Sequence, residues 1–348
     1  MEELCKGNPL ERITGLSFRK NGRAVHNSNR KPGCLRGDFL PARHLRVEPY
    51  QLGLEGVEAG ILIDMVSSSR GCPFNCNFCS FSRNPWGSKR PWSARSPESV
   101  ADELAQIEAP VVAFADDLFT FDMDRVDRIC DLILARGIRK KYIINARLEI
   151  AQRPEVLRKM EKAGFLMLML GIESTQDKTL RSMRKGFDTA RIRECFKVLR
   201  QSSMILNGYF ILGNIGESIE EMLRIVPFSR ELGLDSIAIS TLRSSPYSGL
   251  DELVAESPGY HIAYNGKIYS DHCSVKELRD LHHRIYREFY TPSQLLRIAM
   301  KGIRNGGARF LPRVLPRLPG LAWSVAMNHR QHTQRRQAME TAAKPTPI

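Results

Sequence analysis

The stretch "RGCPFNCNFCSF" (Arg70–Phe81) places three cysteines, Cys72, Cys76 and Cys79, within eight residues. A structural zinc site takes four ligands and a disulfide takes two, so three close thiols fit neither arrangement. A [4Fe–4S] cluster takes one thiolate per iron, and three thiolates leave the fourth iron with an open position. Such a position lets a metal centre bind a substrate directly. A chance grouping, or a zinc site completed by a distant residue, is the alternative interpretation.

The cysteine stretch follows the first of six apolar runs that alternate with helical patterns. The runs are "AGILIDMVSS", "VVAFADD", "KYIINARLE", "FLMLMLGIES", "ILNGYFILGN" and "DSIAISTLRS". Continuous apolar runs are typical of strands in a parallel sheet that helices cover. Right-handed crossovers curl six such units into a partial barrel. The predicted fold class is therefore α/β, a partial (β/α)6 barrel of parallel strands with a helical C-terminal extension. Ligands bind at the carboxyl ends of such strands, where the cysteine loop is expected.

The pattern divides the chain into four expected regions. Residues 1–58 form a linker-like extension with a hairpin that turns at Asn21-Gly22. Residues 59–250 form the barrel, and residues 251–306 form a helical region. Residues 307–348 form a basic, flexible tail.

Composition narrows the cellular setting. No apolar run approaches the length of a membrane span, and the acidic, polar start "MEELCKGNPLERI" does not read as a secretory signal. We therefore expect a cytoplasmic protein. The five cysteines outside the triplet are expected to be ordinary thiols rather than a disulfide framework.

The formal charge of +14 is concentrated near the C-terminus, because no Asp or Glu occurs between Phe289 and Met339. Leucines and a tryptophan stand among the arginines of the tail. We therefore expect peripheral contact with the inner membrane face, the alternatives being a solvated segment or an RNA-binding patch.

The cysteine motif and its context resemble the radical S-adenosylmethionine (radical SAM) superfamily. "CPFNCNFC" fits the pattern C-x3-C-x-aromatic-C, with Phe78 in the aromatic position. The resemblance covers roughly residues 59–250. It implies a [4Fe–4S] cluster on Cys72, Cys76 and Cys79, whose open iron binds SAM. In that family an electron from the cluster cleaves SAM to a 5′-deoxyadenosyl radical. A flavodoxin or a ferredoxin is the implied electron donor, and a small molecule is the implied substrate.

The resemblance also implies which side chains meet SAM at the strand ends. Asp116 and Asp117 are the candidates for its amino group, and Arg147 for its carboxylate. Glu173 and Ser174 are the candidates for the ribose. Gly213 would permit close approach of adenine. A helix cap or an ion pair at the barrel mouth is the alternative role for each polar residue.

Residues 1–58 resemble the linker that follows a cobalamin-binding domain in one subgroup. The cobalamin-ligand pattern D-x-H-x-x-G is not found, and the histidines of "DLHHRI" are predicted to lie on a helix. We expect a truncated relative, a separate subunit that brings cobalamin, or an enzyme that works without it.

Three hypotheses for function follow. The first is an enzyme that methylates, cyclises or rearranges a small, apolar or lipid-like metabolite. The second is an RNA-modifying enzyme, which the lack of a strand-rich segment after residue 251 disfavours. The third is a non-catalytic iron–sulfur relative.

Overall fold

The computed structural model describes residues 2–30, 40–54, 57–81, 88–245 and 248–320. The chain divides into two compact units, Met1–Leu35 and Arg36–Ile348. Pro246, Tyr247 and most of the predicted basic tail, residues 321–348, lie outside the described residues.

The secondary structure contains strands and helices with the following bounds. The strands are β1 (Ser17–Lys20), β2 (Arg23–His26), β3 (Gln51–Leu54), β4 (Val57–Val66), β5 (Ser69–Arg70), β6 (Ser93–Ala94), β7 (Val111–Phe114), β8 (Lys141–Ala146), β9 (Phe165–Glu173), β10 (Ile205–Leu212), β11 (Ser236–Thr241), β12 (Tyr260–Ile262) and β13 (Ile268–Ser270). The α-helices are α1 (Glu2–Cys5), α2 (Pro97–Gln106), α3 (Met123–Ala135), α4 (Pro154–Ala163), α5 (Asp177–Ser182), α6 (Thr189–Leu199), α7 (Ile219–Leu223), α8 (Ile225–Leu232), α9 (Leu250–Ala255), α10 (Val275–Phe289), α11 (Pro292–Arg304) and α12 (Leu311–Val314).

The first unit contains the predicted hairpin. β1 and β2 pair antiparallel around Asn21 and Gly22, whose φ angles are 50° and 77°. A two-residue turn that matches strand twist needs positive φ at both central residues, which Asn-Gly tolerates. The hairpin prediction is therefore confirmed.

The second unit is built on a seven-stranded sheet of order β11-β10-β9-β8-β7-β4-β3. The six strands from β4 to β11 in this sheet run parallel, and β3 adds antiparallel to the edge. The predicted partial barrel of six parallel strands is confirmed. β3 lies in the segment expected to be linker-like.

One face of this sheet is covered by helices and forms the main core. The residues directed to that face are almost entirely buried: Val66, Val112, Phe114, Tyr142, Ile144, Leu168, Leu170, Leu206 and Phe210. α2 and α11 begin with side-chain caps, since Ser96 Oγ accepts from Ser99 N and Thr291 Oγ1 accepts from Gln294 N. α4 and α8 end on Gly164 and Gly233 in the left-handed conformation.

Beyond the barrel, the predicted helical region contains α9, α10 and α11. The short hairpin β12–β13 also occurs there and was not predicted. His282 and His283 lie within α10, as expected. None of the helices in the described ranges is long and apolar enough to cross a membrane.

Candidate functional site

The three cysteines lie on the loop after β4, at the carboxyl end of the parallel strands. Each is partly exposed, and their side chains are close enough to interact electrostatically. Burial raises the pKa of Cys79 to about 11, against a hydrogen bond from the Phe81 backbone. Burial also raises the pKa of Cys72, against one from Phe74. Cys79 is therefore a neutral thiol without a metal, and ligation would release its proton.

A set of three thiols suits three irons of a [4Fe–4S] cluster. Among the described residues, no group of three His, Cys, Asp or Glu side chains is placed to hold a single metal ion. The thiolates of a [4Fe–4S] cluster bind different irons, so they need not converge on one point. Two backbone N–H groups already point at sulfur, as cluster ligands require.

Asp116 and Asp117, after β7, hold the start of the cysteine loop. Asp116 is fully buried and accepts hydrogen bonds from Ser68 N at 2.7 Å, Ser68 Oγ at 2.6 Å and Ser69 Oγ at 2.6 Å. Burial raises the pKa of Asp116, and the bonds from Ser68 and Ser69 oppose that effect. Asp117 Oδ2 accepts from Gly71 N at 2.7 Å. Both carboxylates thus position the backbone that leads into Cys72.

The far side of the cysteine loop is tied to the segment after β9. Asn77 N donates to Met183 O at 3.2 Å, and Asn77 Nδ2 donates to Ser182 O at 2.8 Å. Phe78 packs against a second, smaller core cluster that contains Met183 and Leu242. The aromatic position of the motif is therefore fixed by packing.

Arg147, directly after β8, contacts the cysteine loop through the aromatic ring of Phe74. Its guanidinium lies 3.6 Å from the centroid of Phe74, a cation–π contact. The same group pairs with Glu149 at 3.1 Å and donates to Lys185 O at 2.8 Å. Arg147 is 7% exposed, so these contacts hold it in one place.

Glu173, the last residue of β9, forms a buried ion pair with Lys185. The Glu173 Oε1 to Lys185 Nζ distance is 2.8 Å, and the two residues are 8% and 5% exposed. The pair lies over Gly171, where a Cβ atom would approach Glu173 Oε1 to 2.6 Å. Lys185 Nζ also lies 5.9 Å from the centroid of the Phe78 ring. Burial raises the pKa of the Cys79 thiol, and the charge of Lys185 partly opposes that rise. This pair joins the strand ends to the cysteine loop.

Ser174 and Gly213 occupy turns at the ends of β9 and β10. Ser174 Oγ accepts from Gln176 N at 3.1 Å, which is a turn contact. Gly213 has φ +75°, and a Cβ there would come within 3.0 Å of Leu278. Asn214 follows and donates from its backbone and its side chain to Glu217 Oε2. Burial raises the pKa of Glu217 to about 7.

The face of the sheet opposite the helices is an apolar surface, which we name the inner wall. Strand register aligns Met65, Ala113, Ile143, Met167 and Ile205 in one row across five strands. The inner wall comprises Met65, Ala113, Ile143, Asn145, Met167, Met169, Gly171, Ile205, Asn207, Tyr209, Ser236 and Ala238. All of these except Asn207 keep part of their surface exposed. The wall ends at Gly171, under the Glu173–Lys185 pair.

The structure thus groups the predicted residues around one loop. Asp116, Asp117, Arg147 and Phe78 contact the cysteine loop or the core beneath it. Glu173 contacts it through Lys185, while Ser174 and Gly213 lie in turns of neighbouring strands. The sequence reasoning did not single out Lys185, Asn77 or the inner wall. From Met167 the positions of "FLMLMLGIE" alternate between partly exposed and buried in the structure, but the stretch is continuously apolar in sequence and gave no signal for the wall.

Part of the chain is similar in sequence to proteins of a known family. Residues 66–228 match the model of the Radical SAM superfamily. An uncharacterised methyltransferase of Pyrococcus horikoshii is 29% identical over 254 residues, covering 72% of this chain and 53% of the relative. An anaerobic magnesium-protoporphyrin IX monomethyl ester cyclase of Synechocystis is 26% identical over 211 residues, covering 57% of this chain and 39% of the relative. The chain spans about half the length of these curated relatives, or less.

A solved structure supports the fold. The radical S-adenosylmethionine methyltransferase TsrM from Kitasatospora setae, with cobalamin and a [4Fe–4S] cluster bound, superposes with a TM-score of 0.62 at 15% identity. The match covers 84% of this chain and 66% of that structure. Residues 66–228 therefore form a domain that is similar in sequence to the Radical SAM superfamily, and the fold is similar to that of this methyltransferase.

Proposed function

We propose that this protein is a radical SAM enzyme that methylates, cyclises or rearranges an apolar metabolite held against the inner wall. The observation that carries the proposal is the continuity of the site. The inner wall leads to the Glu173–Lys185 pair, and that pair faces Phe78 and Cys79. An apolar wall with a few polar groups is the usual lining of a small-molecule site.

The proposed cofactors are a [4Fe–4S] cluster and SAM. When bound, they supply the reductive cleavage of SAM with which the chemistry of this superfamily begins. Cys72, Cys76 and Cys79 would bind three irons. A flavodoxin or a ferredoxin is the proposed electron donor, and cobalamin is a further cofactor if a separate subunit brings it.

The chain's own residues have two proposed roles around these cofactors. Asp116 and Arg147 position the cysteine loop, because their polar atoms are engaged by Ser68, Ser69, Glu149 and Lys185. Asp117, Glu173, Ser174 and Gly213 remain the proposed contacts for SAM, together with Phe78. Tyr209 would orient the substrate on the inner wall.

The reaction class is supported by the relatives named above, an uncharacterised methyltransferase and a magnesium-protoporphyrin IX monomethyl ester cyclase. An RNA substrate is the second candidate. RNA recognition relies on cations for phosphate contact and on stacking aromatics. The inner wall is made of uncharged residues with one aromatic, Tyr209, so it favours an apolar substrate instead.

Anaerobic reconstitution with iron and sulfide tests the proposal. The reconstituted protein, reduced with dithionite and given SAM, should form 5′-deoxyadenosine or S-adenosylhomocysteine. Their ratio separates hydrogen abstraction from methyl transfer. Cys76→Ala is the matched control and should form neither. If the wild type holds a native-like cluster and still yields neither product, the enzyme proposal is wrong and a non-catalytic iron–sulfur protein takes its place.

A further inference from the structure

Helix α11 presents its apolar side to solvent. Leu295, Leu296, Ala299, Met300 and Ile303 recur every three to four residues, so they share one face of the helix. The large side chains of this face are exposed, by 53% at Leu295, 61% at Leu296, 43% at Met300 and 44% at Ile303. We name it the outer face. Surface helices normally bury such a stripe.

The opposite side of α11 carries Gln294, Lys301 and the partly buried Ile298, and it is the side that meets the barrel. Gln294 Nε2 donates to Leu234 O at 3.0 Å and to Asp235 O at 2.6 Å. Lys301 Nζ pairs with buried Asp235 at 2.6 Å. Asn305, just past the helix, donates to Ser203 O, which precedes β10. The orientation of α11 is therefore set by specific polar contacts, which leave its apolar stripe outside.

The segment that follows exposes further large apolar side chains. Leu311, Leu315 and Leu318 are 38%, 55% and 44% exposed. α12 lies against β4, and Phe310 is the buried anchor of this segment. Asp235 precedes β11, and Gly306 lies beside Lys141 at the start of β8. The surface is thus at the amino ends of the strands, opposite the cysteine loop.

The charges that α11 and the following segment themselves carry have one sign. No Asp or Glu occurs between Phe289 and Met339. Arg304, Arg309 and Arg313 are exposed within the described part of that stretch. Apolar side chains edged by arginines match the boundary between the acyl region and an anionic headgroup layer. A second copy of this chain would bring like charges together, so charge disfavours it as the occupant.

We propose that the outer face of α11, together with Leu311, Leu315 and Leu318, docks on an anionic lipid bilayer. The leucines, Met300 and Ile303 enter the interfacial region, and the arginines meet the headgroups. The barrel then stands with the amino ends of its strands on the membrane. The cysteine loop faces away from it, where a soluble electron donor can approach. This inference does not depend on the reaction proposed above.

Flotation of the full-length reconstituted protein tests this docking. The vesicles are phosphatidylcholine alone, or phosphatidylcholine with about one third phosphatidylglycerol. The test variant is Leu295→Gln/Leu296→Gln/Met300→Gln. The control variant is Ile262→Gln/Tyr264→Gln, which changes exposed apolar side chains of the β12–β13 hairpin, beside the segment that follows the carboxyl end of β11. Circular dichroism and iron content establish that all three proteins are folded and loaded.

The wild type and the control should float with the anionic vesicles and lose recovery as salt rises. The test variant should bind at least about ten-fold more weakly, because three side chains no longer enter the interface. Equal recovery of the test variant and the wild type overturns the proposal, and so does failure of the wild type to float. Sedimentation velocity tests whether a second copy of this chain occupies the outer face instead. A wild-type dimer that the test variant abolishes, with no vesicle binding, assigns the face to a second copy and also overturns it.

Discussion

Glu173 combines a left-handed backbone conformation with a buried carboxylate. Its φ is 73°, which a residue with a Cβ adopts at a cost of roughly 1–2 kcal/mol. The ion pair with Lys185 holds it there, and Gly171 leaves room for the pair. Strain of this kind persists where the surroundings fix it, and such places cluster at functional sites.

Removing one member of this pair is expected to be more harmful than removing both charges. Lys185→Met leaves the Glu173 carboxylate buried without its cation, and we expect a loss of roughly 3–5 kcal/mol in the free energy of unfolding. The double variant Glu173→Gln/Lys185→Met should be more stable than Lys185→Met alone. Urea denaturation of the three proteins checks this. A double variant less stable than the single one would show that the pair is not the cause.

Glu217 gives a pH-dependent stability of predictable sign. Burial raises its pKa from 4.5 to about 7 in the folded state. Between these values the folded protein binds a proton that the unfolded chain has released. The free energy of unfolding therefore falls as pH rises through this window, by at most about 3 kcal/mol. Denaturation curves across the window should contain this decline in the wild type and lack it in Glu217→Gln. Parallel curves for the two proteins would contradict the assignment.

At the scale of single residues, the sequence indicated the candidate cluster ligands better than the groups that surround them. Cys72, Cys76 and Cys79 are recognisable because their spacing has few other uses in a chain of this kind. Lys185 could not be found in the same way. A lysine is almost never buried unless paired, and its partner Glu173 is twelve residues away, on the other side of helix α5.

The cysteine loop is an element whose shape depends on one glycine. Gly71 has φ +88°, and a Cβ there would approach Pro91 O to 2.7 Å. Both the backbone conformation and the space exclude a side chain. Asp117 holds the same residue through Gly71 N. The loop can therefore present its thiols only with glycine at this position.

Gly71→Ala is expected to reduce cluster assembly sharply. The added methyl group must displace the backbone of Pro91 and with it the approach to Cys72. Gly137→Ala is the matched control, because Gly137 also has positive φ, +63°, but nothing lies within 4 Å of its Cβ position. Iron and sulfide per chain after anaerobic reconstitution give the measurement. Equal iron in the two variants would refute the role of the close approach.

Helices illustrate what an element's own sequence can specify. The start of α11 was predictable because Thr291 and Pro292 form a standard cap. Its orientation was not. The apolar stripe alone predicts burial of Leu296 and Met300, whereas contacts from Gln294 and Lys301 to Asp235, far along the chain, turn the stripe outward. Contacts with residues distant in sequence therefore determine which face of α11 is exposed.

For the whole molecule, fold and chemistry are carried by different parts. The main core runs under six parallel strands and includes Val66, Phe114, Tyr142 and Phe165, with none of the three motif cysteines. The continuous apolar runs that alternate with helical patterns were therefore sufficient to predict the barrel. The inner wall could be recognised only from the register between neighbouring strands, which a single sequence does not reveal.

This separation predicts that the protein keeps its fold when the cluster ligands are removed. In the variant Cys72→Ala/Cys76→Ala/Cys79→Ala, each lost thiol is partly exposed and lies outside the main core. Changes at such positions usually alter the free energy of unfolding by about 0.5 kcal/mol or less. The apo forms of the wild type and the variant should have the same far-UV circular dichroism and closely similar urea midpoints. The variant should lose iron, sulfide and all cleavage of SAM. A variant that fails to fold would mean that the loop is part of the folding core, because the sheet and its helices would then not suffice to stabilise the barrel.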